Sequence, residues 1–149
     1  MHRFFGPFFA GRAALGILII RLFFGWGLVL HVYQKWTHGG PFHWGDQLGI
    51  PSFWQSMAFL GEFAGGLGFM VGLLTPLAAL GITVTMIVGF LKVHLPAHEV
   101  YVHMEGGPNY EVAAHYLIVA VAVLISGPGA LSLDALIFGK RLRGTPYAP

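Results

Sequence analysis

The sequence predicts an all-α integral membrane protein, a bundle of four spanning helices with both termini on the cytoplasmic side. Three observations predict it. The 149 residues are 56% hydrophobic and only 9% charged, against roughly 25% charged in a soluble domain, and the mean hydropathy is +0.70. The apolar residues fall into four blocks, each near the roughly 20 residues that a helix needs to cross the hydrocarbon core. Five of the eight basic residues, Arg3, Arg12, Lys140, Arg141 and Arg143, flank the outermost blocks. The chain, residues 1–149, is about one domain long.

The first span is expected over residues 13–32. Arg3 and Arg12 precede it as in a signal peptide, but the run is long, carries Arg21 and lacks a small-residue cleavage pattern, so it reads as a retained span. The second span, 53–74, carries Gly61, Gly65, Gly68 and Gly72 at helical spacing, a smooth stripe for close helix contact. A tight turn, Leu74-Thr75-Pro76, leads into the third span, 76–95, since proline suits the first turn of a helix. The fourth span covers 111–131. Near its end Ser126-Gly127-Pro128-Gly129 cannot continue a regular helix, and Ser132 and Asp134 are placed to cap or anchor the segment leading to Lys140.

Orientation follows from the flanking cations. Arg3 and Arg12 lie before the first span and Lys140, Arg141 and Arg143 after the last; an even number of spans puts both groups on one side. The positive-inside rule makes that side cytoplasmic, so the long loops 33–52 and 96–110 fall outside. This topology accounts for the pI near 9.2 without nucleic acid as a partner. There is no cysteine, which excludes a dithiol shuttle, disulfide-stapled loops and thiolate-held iron–sulfur clusters. No cofactor is expected to be covalently bound.

Ionisable residues at membrane depth are costly and are functional candidates by default. Arg21 lies about eight residues, ~12 Å, inside the cytoplasmic end of its expected span, and Glu62 about nine residues, ~14 Å, inside the outer end of its own. They are expected to pair, either as a brace between spans one and two or as the border of a polar pocket or proton path. Lys92 and Glu111 form a second expected pair nearer the surface, where Lys92 can also snorkel to water. Glu111 and His115 share a helix face.

Of eight histidines, His31, His38, His43, His94, His98, His103 and His115 map to the outer half. His94 and His98 have ligand spacing for a metal or haem, but Pro96 breaks the helix that would align them; proton exchange at an outward-facing site suits these imidazoles better. Trp36, Phe42, Trp44, Phe53 and Trp54, with Tyr101 and Tyr110, form either an interfacial aromatic belt or a wall for a flat ring such as a quinone.

RLFFGWGLVLHVYQK, GEFAGGLGFMVGLLTPLAAL and NYEVAAHYLIVAVAVLISGPGALSLD together resemble the DoxX family of small four-span membrane proteins, over nearly all of residues 17–134. The matching positions are Arg21, Gly25, Lys35, Glu62, Gly65, Gly66, Gly72, Thr75, Pro76, Glu111, Gly127, Pro128, Gly129, Ser132 and Asp134. The resemblance implies a four-helix bundle in the cytoplasmic membrane and a place as a small subunit of a redox complex, quinone-linked and related to sulfur-compound or thiol oxidoreduction. On this reading Glu62, Glu111 and His115 transfer protons, while Arg21, Lys92, His31, His94 and Trp54 contact a quinone or an anionic intermediate. The expected partners are the bilayer, other membrane or periplasmic redox subunits, and a second copy in a homo-oligomer. The long His- and Trp-rich outer loops depart from the commonest family pattern and point to an external partner. Two other classes stay open. One is a non-catalytic scaffold or assembly subunit whose buried charges only position helices; the other, a small-solute transporter, is disfavoured by the short chain.

Overall fold

The computed structural model describes residues 8–143. His2 and Arg3 lie outside the described residues, as do the side chains of Lys140, Arg141 and Arg143, so the basic flanks that set the expected orientation fall there, Arg12 excepted. Among the described residues the chain is helical, without strands; an isolated bridge joins Val100 and Asn109.

Helix α1, Gly11–Thr37, has 27 residues and is ~40 Å long. It runs past Val32, where the apolar block ends, and so keeps Lys35 on the helix. A short helix α2, Gly40–His43, and a 3₁₀ turn, Asp46–Leu48, fill the first loop. Helix α3, Ser52–Val71, stops at Gly72, whose φ of 69° is left-handed and whose N–H bonds Gly68 O. Helix α4, Thr75–Gly89, starts immediately, with Pro76 in its first turn.

The third expected span does not continue as one α-helix. Residues Phe90–His94 form a π turn, with Leu95 N donating to Phe90 O at 2.8 Å. The extra residue per turn changes the facing of Lys92, which lies exposed. Helix α5, Glu111–Ser126, ends before the expected 131 because Gly127 adopts a φ of 79° and Pro128 comes next. Gly127, Pro128 and Gly129 are buried, and Ala130 N bonds Phe9 O at 2.8 Å. Helix α6, Leu133–Arg143, is the last element among the described residues; the Ser132 hydroxyl caps it by accepting from Ala135 N at 3.1 Å, as its sequence position suggests.

Helix α1 packs along α3, α3 along α4 and α4 along α5, while α1 and α5 touch sparsely. Both long connections therefore lie at one end, the loop end, and the tight α3–α4 turn at the other, the turn end. Leu28, Phe69, Ala79, Ile82, Met86, Ala120 and Val123 form the buried core. Two helices, Gly11–Thr37 and Thr75–His94, are long and apolar enough to cross a membrane, and only 22% of the apolar window of each is buried. A core helix of a soluble protein would bury most of that window. Here Phe23, Trp26, Leu80 and Val84 turn outward instead, as a surface solvated by lipid tails requires. Burial from water does not drive helices together in lipid, so packing and polar contacts must. Gly25 and Gly66 supply the close approach of α1 to α3: a Cβ on Gly25 would meet Gly66 O at 2.7 Å and collide with Met70.

Candidate functional site: two buried charges and an aromatic groove

At the turn end Arg21 is fully buried. It does not pair with Glu62. Its Nη2 donates to Leu131 O at 2.6 Å, and its guanidinium lies where a side chain on Gly72 would stand. Because α1 and α3 run antiparallel, Arg21 is level with Gly72, ten residues (~15 Å) from Glu62. Asp134, also fully buried, supplies the attractive charge facing Arg21. Its two carboxylate oxygens accept from Leu74 N and Thr75 N, each at 2.7 Å, while its own N–H bonds Gly72 O at 2.8 Å. The carboxylate thus caps α4 from 59 residues away in sequence, where the left-handed Leu74 offers no side-chain cap. Arg21 Nε and Nη1 and the Thr75 hydroxyl are buried with no acceptor or donor among the described residues.

Glu62 pairs with Lys35 instead. Lys35 Nζ lies 2.6 Å from both carboxylate oxygens, and the side chains are only 18% and 7% exposed. Lys35 reaches back along α1 from its last turn, and Trp44 covers its ammonium at 4.3 Å from the ring centroid. Gln55 holds Trp44 there. It is fully buried: its amide donates to Asp46 Oδ1 at 2.8 Å and Ile50 O at 2.6 Å, its Oε1 accepts from Gly45 N at 2.8 Å, and its backbone carbonyl accepts from Trp44 Nε1 at 3.2 Å. The Gln55 hydrogen bond, and then that of His43, hold the Asp46 carboxyl below the usual carboxylate range.

Between α1 and α5, where the ring of helices is loosest, lies a groove of about 490 Å³ open to one side. Phe23, Phe24, Trp26, Gly27 and Leu30 line it from α1, and Val112, His115 and Tyr116 from α5. His115 Nε2 meets the Tyr101 hydroxyl at 3.2 Å. Tyr116 is set edge-on against Phe24 and His31, with centroids 5.6 and 5.8 Å away. His31, whose ring packs on Tyr116, lies one helical turn before Lys35 on α1, so the inner wall of the groove stands next to the Lys35–Glu62 pair.

The candidate residues divide among separate places. His115 lines the groove, and His31 and Glu62 lie behind it; Arg21 belongs to the turn end. Lys92 is exposed and makes no ion pair with Glu111 among the described residues, because the π turn carries it outward. His94 pairs with Glu99 at 2.6 Å rather than with His98, and Trp54 stands exposed against Phe53. Among the described residues no three His, Asp or Glu side chains converge as metal ligands. Sequence alone does not single out Trp26, Gly27 and Tyr116, which lie inside apolar runs, or Gln55, an uncharged polar residue beside Ser56 at a helix start.

Helices that turn apolar side chains outward while burying Arg21, Glu62 and Asp134 define a helical membrane protein. The DoxX family model matches residues 16–95, more than half of the sequence, and the chain belongs to the DoxX family. It is 28% identical to the inner membrane protein YqjF of Escherichia coli (strain K12) over 134 residues, covering 85% of this chain and 95% of that protein. No solved structure matches significantly.

Proposed function

We propose that the chain is a four-span bundle of the inner membrane, with both termini cytoplasmic, and that it serves as the small quinone-binding subunit of a membrane redox complex. The name of its E. coli relative supports the membrane. The basic residues Arg3, Arg12, Lys140, Arg141 and Arg143 support the orientation, which puts the loop end outside.

The groove carries the functional reading. Its volume of about 490 Å³ lies in the range of small-molecule sites, and it joins aromatic walls to a few polar tips, as such sites do. Phe23, Phe24 and Trp26 offer faces and edges for a flat ring, and His115 and Tyr116 bring the polar atoms. A quinone would supply two-electron, two-proton chemistry. His115 is suited to exchange a proton at Nε2 with Tyr101 in the outer loop, and Glu62 supplies negative charge behind Tyr116 and His31. Since the chain has no cysteine, any dithiol–disulfide exchange falls to a partner subunit.

A scaffold is the second reading, favoured because both buried charge clusters, Lys35–Glu62 and Arg21–Asp134, bridge helices and so serve packing. Organic extraction of the purified protein separates the two. The redox reading predicts a quinone in stoichiometric amount, and phospholipid alone would support the scaffold.

A further inference from the structure

The residues that line the groove differ in what they leave free. His115 Nε2 is engaged by the Tyr101 hydroxyl, whereas the Tyr116 hydroxyl has no hydrogen-bond partner among the described residues. Tyr116 is also held firmly. Phe24 meets its ring at 89° and His31 at 70°, and its hydroxyl sits in a notch on α1 that exists because residue 27 is glycine: a Cβ there would collide with the oxygen. The hydroxyl is not among the buried polar atoms left without a partner, so on a half-buried residue that lines the groove it stays within reach of an occupant, and an O–H that meets only hydrocarbon there is costly relative to one that is satisfied.

We propose that Tyr116 is the specificity-determining donor of the groove, binding a carbonyl oxygen of a flat ring and so selecting a carbonyl-bearing ring over a hydrocarbon tail. This rests on the reading of the groove as a quinone site. Phe23, Phe24 and Trp26 accept any apolar occupant; the Tyr116 hydroxyl, pinned over Gly27, discriminates by chemistry. Gly27 is a positioning residue, since it makes the space that sets where the donor points.

Trp26 lines the groove and reports on it by fluorescence, with Trp26→Phe identifying its share of the signal. The probe is a short-tailed ubiquinone added to purified protein in detergent. The wild type is expected to show saturable quenching of Trp26. Tyr116→Phe should weaken binding about three- to tenfold, the worth of a neutral hydrogen bond, and Gly27→Ala should do so by at least as much. Tight binding by Tyr116→Phe equal to the wild type overturns the inference and leaves the quinone reading standing; absence of saturable quenching in the wild type overturns both. A tail-bearing benzene lacking the carbonyls gives a check on unaltered protein. It should bind the wild type more weakly than the quinone, and equal binding would also overturn the inference.

Discussion

Lys35→Met is expected to destabilise the protein by about 3–5 kcal/mol, the range for removing one partner of a buried ion pair. The carboxylate of Glu62, 7% exposed, would lose the ammonium that contacts both its oxygens, at a depth where an unpaired charge is costly. Glu62→Gln should cost less. Lys35 is 18% exposed, so its flexible ammonium can turn toward water and keep Trp44 above it. The double variant Lys35→Met with Glu62→Gln should recover most of the loss, because neither charge is then left alone. Thermal melting in detergent, followed by the fraction remaining monodisperse, reads all three. A double variant no better than Lys35→Met would show that the two residues act separately.

Gly72→Ala is expected to have the second large effect, a failure of the folded protein to accumulate. Alanine at a φ of 69° carries a strain of about 1–2 kcal/mol, which alone would be tolerated. Its Cβ would also occupy the position of Arg21 Nη1 and crowd Ser132. The guanidinium would move off Leu131 O, leaving a fully buried cation with no acceptor in place of a 2.6 Å bond. Gly49→Ala is the control. Gly49 has nearly the same φ, 66°, with nothing near its Cβ position, so it isolates the backbone strain. Comparable loss in the two variants would mean that the collision with Arg21 is unimportant.

The helical class and the four apolar blocks are legible in the sequence because hydrocarbon thickness imposes a length that composition reveals. The positions of Arg21 and Glu62 as buried charges are legible for the same reason, since either is expensive in lipid without a partner. Their partners are not. Arg21 bonds a backbone carbonyl 110 residues away, and a backbone acceptor leaves no trace in residue identity. The end of the apolar run at Val32 points Lys35 to the outer mouth, although the helix itself continues to Thr37 and lets the ammonium reach back to Glu62. The groove is hidden by its composition: Trp26, Gly27 and Tyr116 read as ordinary members of apolar spans, and only the loose α1–α5 seam sets them apart. The π turn that exposes Lys92 has no sequence signal.

That the α1–α5 groove holds a quinone is tested most directly by photolabelling of native membranes with an azido-quinone, followed by peptide mapping. Adducts are expected on residues 23–30 of α1 and 112–116 of α5, the two stretches that line the groove, and they should disappear when unlabelled quinone is added in excess. Labelling confined to other segments, or labelling on these two that excess quinone does not reduce, would contradict the claim.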